Sequence, residues 1–385
     1  MGELRADPVN PAAATTRTGR SVVVVMPGGV DDPSAPSGGN TYDRRVCRDL
    51  PRLGWQVHAY AVPGTWPQPR ATARAELARI LRGSADGAVV LLDGLVACAV
   101  PGTVVPEAER LRLVVLVHLP LGDETGLTPA VAAALNAGER RTLQAAAAVV
   151  ATSAWAAERL VAHHGLDPGR VHVAVPGADT APLANGTATG IGHAPSLLCV
   201  ASVTPRKGQL QLVESLAAVA DLPWTCVCVG GLGQDPGYVT RLRELIGRYG
   251  LGDRVHLVGP RTGTELNASY AAADLLLLAS HAETYGMVAT EALARGVPVL
   301  ATAVGGLPEA VGHAPDKGAP GFLVPPQDPA AFASALRLWL GDPVERRRTK
   351  EAAIARRAAL TGWDTTSRSL ATVLEQLRKE SREAA

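Results

Sequence analysis

The chain has 385 residues, a length that suits two domains better than one core. Hydrophobic residues make up 47% and charged residues 19%, which excludes a chain that is disordered as a whole. The 37 Lys and Arg residues nearly balance the 36 Asp and Glu residues, and only 4% of residues are aromatic, so the composition argues against a nucleic-acid partner.

Residues 1–19 have no apolar signal core and are predicted to form a flexible tail. The five cysteines form no CxxC pair and no zinc spacing, so we expect reduced core thiols in a cytoplasmic protein. No uncharged apolar run reaches the length of a membrane span.

Short apolar runs alternate with helical patterns over residues 20–180, the first predicted domain. The predicted strands are 21–26, 56–62, 88–92, 113–117, 146–151 and 171–175. The predicted helices are 40–53, 70–82, 126–143 and 155–164. This rhythm is typical of a doubly wound α/β sheet.

Residues 181–195 are rich in Gly, Ala and Thr and lack periodicity, which predicts a linker. The rhythm then restarts over 196–360, with strands at 196–201, 225–229, 255–258, 275–278, 298–301 and 321–324. Helices are predicted at 208–220, 238–249, 266–272, 286–295, 329–340, 343–360 and 365–380. The last one, within 361–385, could pack back on the first domain. Two doubly wound domains facing across a cleft would bind ligands beyond the carboxyl ends of their strands.

The most informative stretch is HAETYGMVATEALARGVPV, residues 281–299. Glu283 follows a predicted strand, Gly286 permits a tight turn, and Glu291 lies in the helix that begins there. The N–H groups of a helix start favour an anion, and carboxylates accept hydrogen bonds from sugar diols. We therefore predict a nucleotide-sugar site here. The simpler alternative is that Glu283 and Glu291 are solvent-exposed acidic residues at a helix and bind no ligand.

Arg206 and Lys207 stand in VASVTPRKG, at the turn after the first strand of the second half, which Gly208 closes. Two cations at such a turn can hold a diphosphate and stabilise it as a leaving group. A solvated basic turn is the alternative.

Two further patterns lie in the first half. Gly38 and Gly39, in PSGGN, let the backbone approach a phosphate or a sugar. His118 ends a strand and is predicted to bind the transferred sugar, and Asp93 and Asp123 could touch an acceptor. Neither GxGxxG nor GxxxxGK[ST] occurs, which argues against hydride transfer and phosphoryl transfer from ATP. No Asp-x-Asp occurs, so we expect no metal and no cofactor.

With GGLPEAV at 305–311 and GFLVPPQDP at 321–329, these motifs resemble those of the family 4 glycosyltransferases of the GT-B fold, over most of residues 20–360. The resemblance implies a retaining, metal-independent sugar transfer from a nucleoside-diphosphate sugar to a hydroxyl acceptor, in which the departing phosphate takes the acceptor's proton. It implies catalytic roles for Glu283, His118, Arg206 and Lys207. Further implied donor-binding residues are Gly38, Gly39, Arg261, Thr284, Tyr285, Gly286, Met287, Val288 and Glu291.

In this resemblance Glu283 would bind the donor sugar, Glu291 the ribose, Lys207 the diphosphate and Arg261 the base. Families of this kind commonly have Gly-Arg-Leu where this chain has Ala201-Ser202-Val203, so the usual Arg is replaced by Ser202, and Arg206 is predicted to substitute for it.

Other functions remain open at this stage. They are a sugar-nucleotide epimerase, a glycogen phosphorylase relative, a GT-B scaffold that binds without turnover, and a membrane-associated enzyme with a lipid acceptor. Arg44, Arg48 and Arg52 share one helix face and could bind an anionic membrane leaflet. Asp43 and Asp49 in the same helix reduce its positive charge. We expect a cytoplasmic enzyme with a small acceptor; membrane contact is possible but not favoured.

Overall fold

The computed structural model describes residues 19–124, 126–187 and 194–383, with side chains described as far as residue 379. The predicted tail at 1–19 therefore lies almost wholly outside the described residues, and so do residues 188–193 of the predicted linker at 181–195. The described chain divides into two compact units. The first comprises residues 19–31, Gly39–Val175 and the chain from Asp364 onward, and the second Asp32–Gly38 and Pro176–Trp363.

The first unit is built on six parallel strands of mostly apolar residues. The strands are β1 (Arg20–Pro27), β2 (Trp55–Val62), β3 (Val89–Asp93), β4 (Arg112–Val117), β5 (Ala148–Ala151) and β6 (Val171–Val173). Their order in the sheet is β2-β1-β3-β4-β5-β6. The order reverses between β1 and β3, and ligands of doubly wound sheets bind beyond the carboxyl ends of the strands at such a switch point.

Six α-helices lie between these strands, and one lies near the end of the chain. They are α1 (Gly38–Asp49), α2 (Ala71–Gly83), α3 (Gly94–Ala97), α4 (Pro101–Val104), α5 (Pro129–Ala145) and α6 (Ala154–His164). The strands and helices together enclose a core of buried aliphatic side chains, among them Leu77, Leu92 and Val115. Burial of such side chains is the main stabilising contribution to a domain of this kind.

The second unit has six further parallel strands. They are β7 (Ser196–Val200), β8 (Thr225–Val229), β9 (Val255–Gly259), β10 (Leu275–Leu278), β11 (Val299–Thr302) and β12 (Gly321–Val324). The sheet order is β12-β11-β10-β7-β8-β9. The reversal therefore falls between β7 and β10, which pair at Leu276 and Leu198. The prediction of a two-domain, doubly wound α/β fold is confirmed.

The helices of the second unit are α7 (Gln209–Ala217), α8 (Pro236–Arg248), α9 (Gly263–Ala271), α10 (Met287–Leu293), α11 (Leu307–Val311), α12 (Pro329–Gly341) and α13 (Pro343–Arg356). A final helix, α14 (Trp363–Glu383), belongs to the first unit from Asp364 onward. There Thr366 Oγ1 donates to the carbonyl of Val175 at 2.7 Å. The chain after the second sheet thus returns to the first unit.

Several predicted bounds need correction. The predicted helix 40–53 is an α-helix only to Asp49 and continues as a 3₁₀ turn, Leu50–Leu53, where Pro51 lacks the N–H that an α-helix requires. The predicted helix 286–295 is only seven residues long, Met287–Leu293. Helices α3, α4 and α11 were not predicted, because they are too short to show a helical period.

Candidate functional site

Arg206, Lys207 and Glu283 form an ionic cluster at the switch point of the second sheet. Arg206 and Lys207 lie in a 3₁₀ turn, Pro205–Lys207, after β7, and Glu283 follows β10. Lys207 Nζ lies 2.5 Å from Glu283 Oε1, and Arg206 Nη1 lies 3.9 Å from Glu283 Oε2. The structure thus brings together three residues that the sequence analysis selected from two separate motifs.

Gly208 makes this close approach possible. Its φ of 68° is left-handed, and a Cβ at this position would lie 1.9 Å from the carbonyl oxygen of Ala279. The turn before it therefore packs directly on the end of β10. The His281 N–H donates to the Arg206 carbonyl at 2.8 Å, and Arg206 Nη1 donates to the Ala282 carbonyl at 3.2 Å.

Glu283 is ionised despite being buried. Its residue is 8% exposed, and burial alone would raise the pKa of its carboxyl. The charges of Lys207 and Arg206 outweigh burial, and hydrogen bonds from Lys207 and from Ser280 Oγ, the latter at 2.9 Å, act in the same direction. The pKa of Glu283 therefore lies below its usual value, so one carboxylate stands beside two fixed cations.

Two glycines shape the loop Thr284–Val288. Gly286 has a φ of 103° and precedes α10, and a Cβ there would lie 2.4 Å from Leu307 Cδ2. A Cβ on Gly306 would lie 2.3 Å from the Thr284 carbonyl oxygen, and the Gly306 N–H donates to the Glu283 carbonyl at 3.0 Å. Gly306 and Leu307 of the GGLPEAV motif thus pack against the backbone of this loop. Thr284, Met287 and Val288 lie along it as predicted residues, whereas the Tyr285 side chain is buried, which raises its pKa to about 12.

Glu291 lies on α10 and is held by Tyr270, from the end of α9. Tyr270 Oη donates to Glu291 Oε2 at 2.7 Å, and the Arg295 guanidinium stacks 4.6 Å from the Tyr270 ring centroid. Burial, reinforced by the Glu291 charge, raises the pKa of Tyr270 well above its usual value, so its hydroxyl stays a donor. Tyr270 was not predicted from the sequence, because no motif or spacing connects it with Glu291.

The remaining predicted residues of the second unit have structural partners. Arg261 follows β9, and its Nη1 donates to Ser269 Oγ at 2.9 Å. Ser202, at the position where an Arg was expected, accepts from Gln209 Nε2 through its carbonyl at 2.9 Å. Gly38 opens α1 and is grouped with the second unit, whereas Gly39 belongs to the first.

The first unit has its own polar cluster near its switch point, which we call the His118 cluster: His118, Asp43 and Asp93. His118 Nε2 lies 2.9 Å from Asp43 Oδ1 and 3.9 Å from Asp93 Oδ2. A Cβ on Gly39 would lie 3.0 Å from His118 Cδ2, so a side chain at this position would crowd the imidazole. His118, Gly39 and Asp93 were predicted from the sequence as site residues. Asp43 was not, because it lies inside a helix and does not follow a strand.

Asp123, the other acceptor-side prediction, forms an ion pair with Arg159, Nη2 to Oδ1 at 2.6 Å. Of the proposed membrane-facing arginines, Arg44 lies 3.5 Å from Asp31, and Arg48 and Arg52 both pair with Asp49. The negative charges of Asp31 and Asp49 thus offset much of the positive charge of these three arginines. Among the described helices, none has the length and apolarity needed to cross a bilayer.

The three side chains of the His118 cluster are also close enough to hold a metal ion, since one potential ligand atom of each lies within 4.8 Å of the others. The distance between Asp43 and His118 is that of a direct hydrogen bond, and we do not assign a metal site there. The expectation of a metal-free protein stays a prediction.

A cavity of about 590 Å³ lies at the opposite end of the first sheet. It is bordered by Arg112 at the amino end of β4, by Arg170 just before β6, by His172 within β6, and by Leu377 of α14. None of the candidate residues lines it, and it lies at the amino ends of strands, so we do not take it as the functional site.

Comparison with solved structures defines the class of fold. Sucrose-phosphate synthase from Thermosynechococcus elongatus matches with a TM-score of 0.76 at 23% identity, covering 93% of this chain and 99% of that one. Anabaena HepE, solved in complex with UDP-glucose, matches with a TM-score of 0.71 at 20% identity, covering 92% of this chain and 99% of that one. The chain has the GT-B fold.

Two family models match its two halves. The model described as glycosyl transferases group 1 matches residues 190–356, and the model described as glycosyltransferase family 4 matches residues 72–182. The chain belongs to the family 4 glycosyltransferases, as the sequence motifs predicted.

Among curated relatives, the D-inositol 3-phosphate glycosyltransferase of Kineococcus radiotolerans is 35% identical over 250 residues, covering 60% of this chain and 57% of the relative. The D-inositol 3-phosphate glycosyltransferase 1 of Catenulispora acidiphila is 35% identical over 277 residues, covering 67% of this chain and 64% of the relative. The matched region thus spans less than two thirds of these relatives.

Proposed function

We propose that this protein is a retaining, metal-independent glycosyltransferase that moves a sugar from a nucleoside-diphosphate sugar to a hydroxyl of a small acceptor. The observation on which this rests is the ionic cluster at the switch point of the second sheet. Lys207 and Arg206 place two cations beside one buried, ionised carboxylate, Glu283, in a sheet whose order is typical of nucleotide binding.

Each group of the cluster has a role in this reaction. Lys207 and Arg206 bind the diphosphate and stabilise the charge that develops as it leaves. Glu283 accepts hydrogen bonds from hydroxyls of the transferred sugar. Glu291, held in place by Tyr270, accepts hydrogen bonds from the ribose. Metal ions often neutralise a leaving diphosphate, and here the two cations take over that task.

The transfer itself needs no dedicated protein base. The bond between the anomeric carbon and the diphosphate oxygen breaks, and the diphosphate leaves with the bonding electrons. The acceptor oxygen then bonds to the anomeric carbon on the same face, and the acceptor's proton passes to the departing diphosphate. The protein contributes positioning and electrostatic stabilisation.

The acceptor is proposed to be a small, diffusible polyol. Relatives that are 35% identical are named for an inositol phosphate acceptor, and the ion pairs of Arg44, Arg48 and Arg52 weaken the alternative of docking on anionic lipid. Co-sedimentation with anionic vesicles at physiological salt distinguishes the two. Binding that is lost when these arginines are changed to Ser would favour a lipid acceptor.

The function is tested with a panel of UDP-glucose, UDP-N-acetylglucosamine, ADP-glucose and GDP-mannose. A donor at 100 times its Kd stabilises the folded protein by about 2.7 kcal/mol, which a thermal melt detects. Donors that stabilise it are then incubated with polyol acceptors, and release of the nucleoside diphosphate is measured. We expect stabilisation and acceptor-dependent release with at least one donor.

Two results would contradict this proposal. A protein that no donor stabilises has no nucleotide-sugar site of this kind. A protein that binds a donor but releases no nucleoside diphosphate with any acceptor, including lipid-linked ones, is a binding scaffold. The anomeric configuration of the product tests retention separately.

A further inference from the structure

The cavity beside the first sheet lies between that sheet and α14. Its volume of about 590 Å³ is within the range of small-molecule binding sites. Val373 and Leu377 border it from α14, and Arg112 and His172 border it from the sheet. All four residues belong to the first unit, so this cavity, which we call the α14 cavity, is formed within one compact unit.

Arg112 and His172 lie far apart along the α14 cavity. Arg112 is the first residue of β4, whereas the register of the sheet, through β5, places His172 of β6 level with Leu116. The two residues are therefore about 10 Å apart across the sheet and about 13 Å apart along it. Both side chains lie on the face opposite the aliphatic core, since their sequence neighbours Leu113 and Val171 pack in that core. A ligand that contacts both groups needs a body beyond its anionic group.

Positive charge borders the cavity near the end of α5. Arg170 Nη2 is held there by the carbonyls of Leu143, Gln144 and Ala146, to which it donates at 3.2, 2.8 and 2.5 Å. The half-buried Arg112 guanidinium, in contrast, forms no hydrogen bond or ion pair with any residue that the structure describes. Among the described residues that line the cavity, none is acidic. A half-buried cation without a carboxylate beside it favours an anionic ligand.

The rest of the lining suits an organic body. Burial lowers the pKa of the half-buried His172 imidazole, so the ring is neutral at neutral pH and can donate or accept a hydrogen bond. Neither ring nitrogen has a hydrogen-bond partner within the part of the chain that the structure describes. Val373, Leu377 and Ala147 supply an apolar wall. A few polar groups on a largely apolar wall are typical of sites for small organic molecules.

We propose that the α14 cavity binds a small organic anion, a carboxylate or a phosphate monoester with an apolar body, and that the bound anion stabilises the packing of α14 on the first sheet. The planar guanidinium of Arg112 pairs with either anionic group through two parallel hydrogen bonds. The apolar body contacts Val373 and Leu377. None of the residues of the proposed transfer reaction lines this cavity, so the inference does not rest on the proposed function.

Calorimetric titration with phenyl phosphate and with benzoate tests the site. We expect at least one of the two to bind with a Kd of about 1 mM or lower, which a ligand of this size reaches at ordinary ligand efficiency. Inorganic phosphate lacks the apolar body and benzyl alcohol lacks the charge, so each should bind about tenfold more weakly or worse. Arg112→Gln should weaken binding of the anion by about tenfold or more, because a charge-assisted pair is lost.

Three further variants locate the binding site. Arg79→Gln removes a guanidinium of the same unit that is exposed and paired with Glu76, and it should leave binding unchanged. Gln376→Trp, at an exposed position of α14 that borders the cavity, should block binding without removing a charge. Lys207→Ala should leave binding unchanged, because Lys207 lies in the second unit. Loss of binding in Lys207→Ala but not in Arg112→Gln would place the anion in the nucleotide site and overturn the inference.

Hydrogen exchange measures the effect on α14. With the anion bound, the amides of residues 370–378 should exchange more slowly in the wild type, and this protection should disappear in Arg112→Gln and in Gln376→Trp. Absence of binding by both anions, or binding that neither Arg112→Gln nor Gln376→Trp weakens, would overturn the site. Binding without slower exchange in α14 would overturn its proposed effect. A protein that binds the anion but transfers no sugar would refute the proposed function and leave this inference standing.

Discussion

Each unit has buried carboxylates near the switch point of its sheet, but their neighbouring charges differ. In the second unit, one carboxylate, Glu283, lies beside the two cations Lys207 and Arg206. In the first unit, Asp43 and Asp93 share the single imidazole of His118. The pKa of Glu283 is therefore lowered, whereas that of Asp93 is raised to about 8.

The difference indicates two kinds of site. Because the pKa of Glu283 is lowered, its contribution to stability is present above the pKa of an unfolded glutamate and lost as pH falls through the folded value. Its charge is thus constant at neutral pH, as suits a site that binds a fixed anion through neighbouring cations. In the first unit, in contrast, burial raises the pKa of Asp93, and the charges of Asp43 and Asp93 raise the pKa of His118 against burial.

The largest expected effect is that of Lys207→Ala. Loss of a cation that stabilises the departing diphosphate should lower kcat by about 10²–10³-fold. Lys317→Ala is a matched control, because Lys317 lies in the same unit in an exposed pair with Glu351 and should have no effect. Arg206→Ala should lower kcat less than Lys207→Ala does. Wild-type turnover in Arg206→Ala would mean that Arg206 does not substitute for the arginine that is absent at Ser202.

A smaller effect is expected from Glu291→Ala, which removes a carboxylate from the proposed ribose contact. A hydrogen bond to a charged group contributes about 1.5–3 kcal/mol, so nucleoside diphosphate affinity should fall by about 10–150-fold. Calorimetric titration of the folded variant measures this. Unchanged affinity would show that the ribose lies elsewhere.

Tyr270→Phe should weaken nucleotide binding by up to about tenfold, because Glu291 loses the donor that orients it but keeps its charge. The same titration measures it, with Tyr249→Phe as a control, since Tyr249 is exposed at the end of α8. A loss as large as that of Glu291→Ala would instead indicate that Tyr270 contacts the nucleotide directly.

The smallest expected effect is that of a chelator. If Lys207 and Arg206 neutralise the diphosphate as proposed, turnover should be unchanged in EDTA. Turnover that is abolished by EDTA and restored by Mg²⁺ or Mn²⁺ would contradict the metal-free proposal, and the His118 cluster would then be the first place to search for the ion.

Much of the fold could be predicted from the sequence, because buried parallel strands appear as short, continuous apolar runs. All twelve observed strands lie within two residues of a predicted one at either end. The short helix α11 could not be predicted, since five residues show no helical period. The packing of Gly306 against the loop Thr284–Val288 therefore could not be predicted either.

The candidate site was predictable where its residues follow strands. Arg206, Lys207, Glu283 and His118 all stand just beyond a strand, where parallel sheets gather their polar groups. Asp43 and Tyr270 lie within helices. Their partners, His118 and Glu291, are 75 and 21 residues away in the sequence, and only the fold brings each pair together. Only the packed structure contains that information.

A crystal structure of the protein with UDP-glucose, or with the donor that the panel selects, tests the central claim most directly. The account predicts that the diphosphate contacts Lys207 Nζ and the Arg206 guanidinium, that the ribose hydroxyls lie on the Glu291 carboxylate, and that Glu283 faces the sugar. A nucleotide bound away from the carboxyl ends of β7 and β10, with Lys207 still paired only with Glu283, would contradict it.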